Sequence, residues 1–374
     1  MASYVLWDKK DITYSFNMTA PAEYANYTSR NLTDGFKELS SWQKDSARDT
    51  FKDLSNYLNM TFNEVSSNGD IRFSSINLLG NESGNESGIA FYYIAMSNAE
   101  INGDVFLSNF LQTESSNAFR SYSREVISHE VGHAMGLKHP FESFLGGPTL
   151  SVDEDNKQYT VMSYTNKASY VVDGYKYSAE ANMPGYSIYD IDALQAMYGA
   201  NISYKAGDDT YTFNGKTPYY LTIWDAGGHD KIDASTSNGD CVINLNSNTL
   251  SSVNLQQYTN PIIYRGENNL GIVKGVAIED VATGLGNDKI TDNVVNNAID
   301  CQGGDDSVYL YFGGYDTVIG GSGTDSVYVK DNAGAVTKAT NSDGTITIVG
   351  SYFSAVLNGI EKIYYGDGSS DVIA

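Results

Sequence analysis

The chain has 374 residues, more than one ordinary domain, and its 41% apolar content is ample for packed cores, so two domains are expected. Against 46 acidic residues stand only 23 basic ones, and the resulting net charge of −23 excludes nucleic acid, whose phosphates would be repelled. The longest apolar run, Ile89 to Met96, has eight residues and excludes a membrane-spanning helix, which needs ~20.

Residues 1–10 lack the apolar core of a secretory signal peptide. Ile12-Thr13-Tyr14-Ser15-Phe16 alternates and predicts a first strand. Trp42, Ala47, Phe51, Leu54 and Leu58 recur at helical spacing and predict a helix over 40–58. Met60 to Val65 and Ile71 to Phe73 follow as strands. Gly80 to Gly88 is a tandem Gly-Asn-Glu-Ser repeat and reads as a loop. Ala90–Ala95 and Asp104–Leu107 are two further strands ahead of a helix placed at 121–135. Ser187 opens a last helix in which Ile188, Ile191, Leu194 and Tyr198 share a face and which Gly199 ends. This order of elements is that of an α+β domain over residues 1–200.

The chemistry of that domain is concentrated in His129-Glu130-Val131-Gly132-His133-Ala134-Met135-Gly136-Leu137-Lys138-His139, an HExxHxxGxxH motif. On a helix, His129 and His133 lie one turn apart on one face and can reach one metal, while Glu130 stands beside it. Were the helix to continue, His139 would lie ~15 Å along the axis and ~80° off that face, too far for ligands ~2.0–2.1 Å from one zinc ion. The helix must therefore stop, with Gly136 taking a left-handed turn and Pro140 preventing a restart. Three of the chain's four histidines fall inside these eleven residues. Three neutral imidazoles leave an open position for water, and Glu130 is placed to take the proton of that water.

From residue 201 to 374 the texture changes to short strands, Gly-Asp turns and many Asn, Ser and Thr. Gly320 to Tyr328 fits the nine-residue calcium β-roll repeat GGxGxDxUx at every fixed position. Its sixth position recurs backwards as Asp316, Asp306, Asn297 and Asp288, followed in each case by an apolar residue: Val318, Val308, Ile299 and Ile290. Turns of this kind supply carboxylate and carbonyl oxygens for calcium, with Asp288, Asp306 and Asp325 as the expected side-chain ligands and Asn297 as a weakened one. Cys241 and Cys301 both lie in this half, which leaves no cysteine ligand or nucleophile in the first; they form one disulfide or remain two buried thiols.

The motif, together with Val161-Met162-Ser163-Tyr164, Tyr198-Gly199-Ala200-Asn201 and Trp224-Asp225-Ala226-Gly227-Gly228, resembles the serralysin-type metzincins. The resemblance implies an α+β metzincin catalytic domain followed by an all-β parallel β-roll or sandwich domain, and the activity of a secreted zinc endopeptidase with structural calcium. It implies that Tyr164 is a switch tyrosine that ligates zinc at rest and then stabilises the oxyanion, and that Met162 forms a floor beneath the histidines. An edge strand, by position Ala90–Ala95, would pair with extended substrate, although an interior place for it is equally open. Lys205, Gly207 and Asp209 match positions that hold one calcium ion with Asp225, Gly227 and Asp230; Gly228, Asp230, Ala277 and Glu279 match those of a second. The partners implied are protein or peptide substrates and an inhibitor protein, for a monomer exported through a C-terminal address that Asp371-Val372-Ile373-Ala374 resembles. Nothing ahead of Ile12 resembles a prosegment. The competing reading is a non-catalytic calcium-dependent surface or adhesion module with a vestigial zinc site; an astacin-like enzyme would share the motif but leave the repeats unexplained.

Overall fold

The computed structural model describes residues 6–27, 31–78, 87–91, 101–112, 117–143, 148–165, 169–172, 175–178, 185–213, 220–255 and 266–373. The chain divides into two compact units, Met1–Lys167 with Glu180–Asn201, and Ala168–Ala179 with Ile202–Ala374. Among the described residues no helix is long and apolar enough to cross a membrane.

The first unit contains β1 (Asp11–Phe16), α1 (Ser41–Tyr57), β2 (Thr61–Glu64), β3 (Ile71–Ile76), β4 (Gly88–Ala90), β5 (Val105–Ser108), α2 (Asn117–Ala134) and α3 (Ile188–Tyr198). The sheet order is β2-β1-β3-β5-β4, and β4, at the edge, runs antiparallel to β5 while the other pairs are parallel. All six residues of β3 are buried because both faces of the sheet are covered. On one face Phe51 of α1 stacks on Tyr14 with ring centroids 4.2 Å apart and meets Phe73 edge-on. On the other face Tyr24, Leu32, Ile76, Leu78, Ile101 and Phe106 form a closed cluster. Each such side chain contributes roughly 1.5–3 kcal/mol by leaving water.

The second strand and α1 fall within a residue or so of the sequence expectation, β3 runs three residues further, and α2 begins four residues earlier than 121. The edge strand begins at Gly88, which the sequence placed in a loop, and is assigned only to Ala90; residues 92–95 of the expected strand and 80–86 of the repeat lie outside the described residues.

The second unit is built mainly of strands three to six residues long, in two parallel runs. One links Thr210–Thr212, Lys231–Asp233, Asp280–Ala282, Ala298–Asp300, Gly314–Ile319 and Phe353–Asn358. The other links Val242–Asn244, Lys289–Thr291, Ser307–Leu310, Ser326–Val329 and Lys362–Tyr364. From Lys289 to Val329 successive strands alternate between the two sheets, so the chain winds as a flattened coil. The repeated apolar residues Ile290, Ile299, Val308, Val318 and Val327 are buried between the turns. On the outer face of the second sheet, Tyr309, Tyr328 and Tyr364 stack at 4.7 and 4.6 Å, the spacing of adjacent strands. Cys241 and Cys301 are buried free thiols.

Candidate active site

The last turn of α2 ends in two hydrogen bonds, Leu137 N–H to Gly132 C=O at 2.8 Å and Gly136 N–H to His133 C=O at 2.9 Å, with Gly136 at φ +96°. That pattern is the Schellman stop, which only a residue free of a Cβ penalty enters readily. The reversal brings His139 back to the helix. Its Nε2 lies 3.2 Å from His129 Nε2 and 3.1 Å from His133 Nε2, and the Tyr164 hydroxyl is 2.8 Å from the same atom.

Each imidazole is held from behind by its other nitrogen. His129 Nδ1 lies 2.9 Å from the Val161 carbonyl, His133 Nδ1 2.8 Å from the Leu137 carbonyl and His139 Nδ1 2.9 Å from Glu142 Oε1. Donation to these acceptors puts the proton on Nδ1 and turns three Nε2 lone pairs towards one point. Lone pairs so placed repel one another unless a cation lies between them. Their separations are close to the ~3.3–3.4 Å edge of a tetrahedron with bonds of ~2.0–2.1 Å, so the donor set fits zinc. Burial pushes His129 down to about 4, against the pull of the Val161 carbonyl, with the His139 and Lys157 charges adding to the fall. Burial also holds His133 well below its usual range. Both rings are therefore neutral near pH 7, as a ligand must be.

Met162 is fully buried, and a Cβ built on Gly132 would fall 2.8 Å from its sulfur. The methionine thus packs against α2 between the two helical histidines, in a gap that glycine leaves. The turn that carries it is tied to α3: Asp190 accepts from Thr160 Oγ1 at 2.6 Å, Val161 N at 2.7 Å and Ser187 N at 2.9 Å. Since the Val161 carbonyl holds His129, one carboxylate at the start of α3 orients a histidine it does not touch.

The histidines open onto a cleft of about 1120 Å³ bordered by β4, α2, the turn at Val161 to Tyr164 and the segment after His139. Glu130, only 5% exposed, lines the cleft facing β4, where a Cβ on Gly88 would fall 2.8 Å from its Oε1. Phe141 stacks flat on His139 at 5.1 Å and meets Tyr164 at 5.3 Å, shielding the outer side.

Sequence reasoning named the three histidines, Glu130, Met162 and Tyr164, and they come together here. It missed Glu142, Asp190 and Lys138. Glu142 carried a usable signal, a carboxylate three residues after a ligand histidine. Asp190 carried another, since Ser187 and Asp190 have capping-box spacing. Lys138 is buried with its ammonium on the carbonyls of Glu142 and Pro148 and so pins the segment bearing Glu142. Nothing in the sequence marks a lysine for that role.

In the second unit the predicted calcium residues sort into rows that the nine-residue period did not reveal. Carboxylate Oδ1 atoms accept from backbone N–H groups one full turn earlier: Cys241 to Asp288, Asp288 to Asp306, and Asp306 to Asp325, at 2.6, 2.7 and 2.9 Å. Asn297 N–H donates likewise to Asp316 at 2.8 Å on the opposite side. The second oxygens of Asp230, Asp288, Asp306, Asp316 and Asp325 are buried without a hydrogen-bond partner, the condition of a carboxylate that binds a cation. Burial pushes Asp288 up to about 6 and Asp306 and Asp316 up to about 7.

Asn297, expected as a weakened ligand, commits both ends of its amide to protein, its Oδ1 accepting from Asn293 N–H at 3.1 Å. Its Nδ2 donates to the carbonyls of Ile278 and Glu279, both at 3.1 Å. Nearer the start of the unit, carboxylate oxygens of Asp209, Asp225 and Asp230 lie within 4.8 Å of one another. Gly207 and Gly228 are in close apposition, since a Cβ on Gly228 would fall 2.3 Å from the Gly207 carbonyl, and Gly227 N–H donates to Asp225 at 2.9 Å. Lys205, at φ +51°, sets its ammonium 3.4 Å from Asp209. Glu279 accepts from Asp230 N at 2.8 Å, whereas Ala277 is exposed.

Comparison with known proteins agrees with this geometry. Residues 8–183 match the profile of the metallo-peptidase family M12B, reprolysin-like, and residues 189–347 match that of the peptidase M10 serralysin C terminal domain. The chain is 32% identical over 311 residues to a metallopeptidase AprA of Pseudomonas marginalis, covering 78% of this chain and 62% of the relative. It is 29% identical over 330 residues to a serralysin of Proteus mirabilis, covering 79% and 62%, and 30% identical over 267 residues to serralysin A of Dickeya chrysanthemi, covering 68% and 54%. The chain thus spans about three fifths of the length of the Pseudomonas marginalis and Proteus mirabilis relatives. With its three converging histidines, its methionine turn and its coiled parallel strands, it belongs to the serralysin-type metallopeptidases.

Proposed function

We propose that the protein is a secreted zinc endopeptidase whose second domain is stabilised by calcium. The observation that carries this reading is the convergence of three Nε2 atoms, each ring held through Nδ1, beside a buried glutamate in an open cleft. His129, His133 and His139 would hold the metal, with Tyr164 as a fourth contact at rest. When bound, zinc supplies a Lewis acid that polarises the scissile carbonyl and lowers the pKa of the attacking water.

The remaining work falls to the chain itself. The edge of β4, unpaired among the described residues, lends main-chain hydrogen bonds to an extended peptide laid antiparallel or parallel to it. Glu130 takes a proton from the attacking water and returns it to the leaving nitrogen. Tyr164, 67% exposed with its hydroxyl against His139 at the mouth of the cleft, can swing aside and donate that hydroxyl to the developing oxyanion. Asp288, Asp306 and Asp325 form one calcium row, and Asp209, Asp225 and Asp230, with the carbonyls of Lys205, Gly207 and Gly227, form an entry site; Gly228 and Glu279 adjoin a second ion at Asp230. Export through the C-terminal end, protein substrates and a monomeric state complete the reading.

The test is Glu130→Gln. The variant should keep zinc at one equivalent by metal analysis while casein hydrolysis falls ~10²–10⁴-fold. Unchanged turnover would remove Glu130 from the mechanism.

A further inference from the structure

Among the described residues that line the cleft, Lys157 is the one lysine or arginine. It lies four residues before Val161, and its ammonium is 2.5 Å from Glu125 Oε1. Glu125 is on α2, one turn ahead of His129, which places the pair ~6 Å along the helix from the first metal-binding residue. That distance is within reach of a substrate side chain whose backbone lies at the histidines.

The pair is built rather than incidental. Lys157 N–H donates to the Thr165 carbonyl at 3.0 Å, which closes the loop holding Met162 and Tyr164. The Lys157 carbonyl accepts from Ser187 Oγ at 3.2 Å, so the backbone is held on both sides. The two charges are unequally accessible: the Glu125 side chain is 5% exposed and that of Lys157 20%. A ligand entering the cleft therefore meets the cation, while the carboxylate stays behind it. An ammonium has three donors, and Glu125 takes one. Since Coulomb energy falls with distance, an acceptor in contact with Nζ gains more from Lys157 than it loses to the more distant Glu125.

We propose that Lys157, positioned by Glu125, determines specificity in a side-chain subsite beside the histidines, selecting substrates whose side chain there ends in an acceptor oxygen, carboxylate above all, over those ending in a cation. This rests on the endopeptidase reading. The full chain, loaded with zinc and calcium, is given matched peptides that differ only in carrying Glu, Gln, Ala or Lys at each position flanking the scissile bond. At one position kcat/KM should favour Glu over Lys by about tenfold or more. Lys157→Met should bring that ratio to within about twofold, and Lys157→Glu should invert it. Glu125→Gln, an isosteric change that tests the idea even if the lysine variants fold poorly, should widen the ratio because the ammonium loses its neutralising partner. Cleavage with a flat or cation-favouring profile at every position overturns the subsite alone, as does an acid preference that survives Lys157→Met. Failure to cleave any of the peptides overturns the endopeptidase reading and the subsite with it.

Discussion

In the first unit the buried carboxylate of Asp104 meets protein on both oxygens: Arg72 donates to each, at 2.9 and 2.6 Å, and the Tyr24 hydroxyl adds a third bond. In the second unit Asp288, Asp306, Asp316 and Asp325 are equally buried, yet each leaves one oxygen with no protein partner. The difference teaches where each half obtains its stability. In the sheet with its helices, the buried charge of Asp104 is neutralised by a protein cation, Arg72. The coiled strands gather carboxylates that repel one another, and on the calcium reading proposed above their compact state draws on cations from solution.

The largest expected effect separates the halves. A calcium-selective chelator should lower the opening free energy of the parallel strands in the second unit by about 3 kcal/mol or more, the order expected when a ligand at hundredfold its Kd is withdrawn. Hydrogen exchange should show protection lost over Lys289–Val329 and kept over Ile71–Ile76. Equal loss in both would erase the distinction.

The converse change is Arg72→Met. It strands Asp104 in the first unit without its cation, at a cost of ~3–5 kcal/mol. Urea unfolding read through exchange of β3 should show it at any calcium concentration. Rescue by calcium would mean that the first unit, too, relies on bound ions.

Asn297→Asp sharpens the contrast at one residue. A carboxylate would face the carbonyls of Ile278 and Glu279, which now accept from the asparagine amide. Without calcium the variant should lose ~1–3 kcal/mol. With calcium it should recover and bind an additional ion by titration calorimetry; a calcium-independent loss would show that the position cannot take one.

The smallest effect concerns an exposed pair. Arg48 donates to both oxygens of Glu64 at 2.7 and 2.9 Å, and this hydrogen bonding holds the carboxyl below its usual range. A lowered folded-state pKa means the stabilisation is present above the unfolded value near ~4.3 and is lost as pH falls through the folded one. Both side chains are about a third exposed or more, so the contribution is only ~0.2–1 kcal/mol. Arg48→Met should flatten the acid limb of the first unit's stability curve by that amount and leave the second unit unchanged.

What was legible in advance followed local rules. Ligand spacing on a helix, the need for Gly136 to stop it and the nine-residue period depend on neighbours in sequence, and each could be read before any fold was known. Of the residues that escaped, Glu142 lies only three positions from the histidine it holds, whereas Asp190 and Lys138 act through contacts distant in sequence or through the backbone. His129 is oriented by a carbonyl 32 residues away, and Asp190 reaches the turn that bears it from 29 residues away. Two rows of carboxylates emerge from one repeat only because alternate strands enter opposite sheets. Asn297 reads as a poor ligand until the carbonyls beneath its amide are seen. The sequence by itself determined which groups could bind metal, because chemistry belongs to residue types. Tertiary structure alone decided which of them face a common point and which are already satisfied by protein, because hydrogen-bond partners are chosen in space.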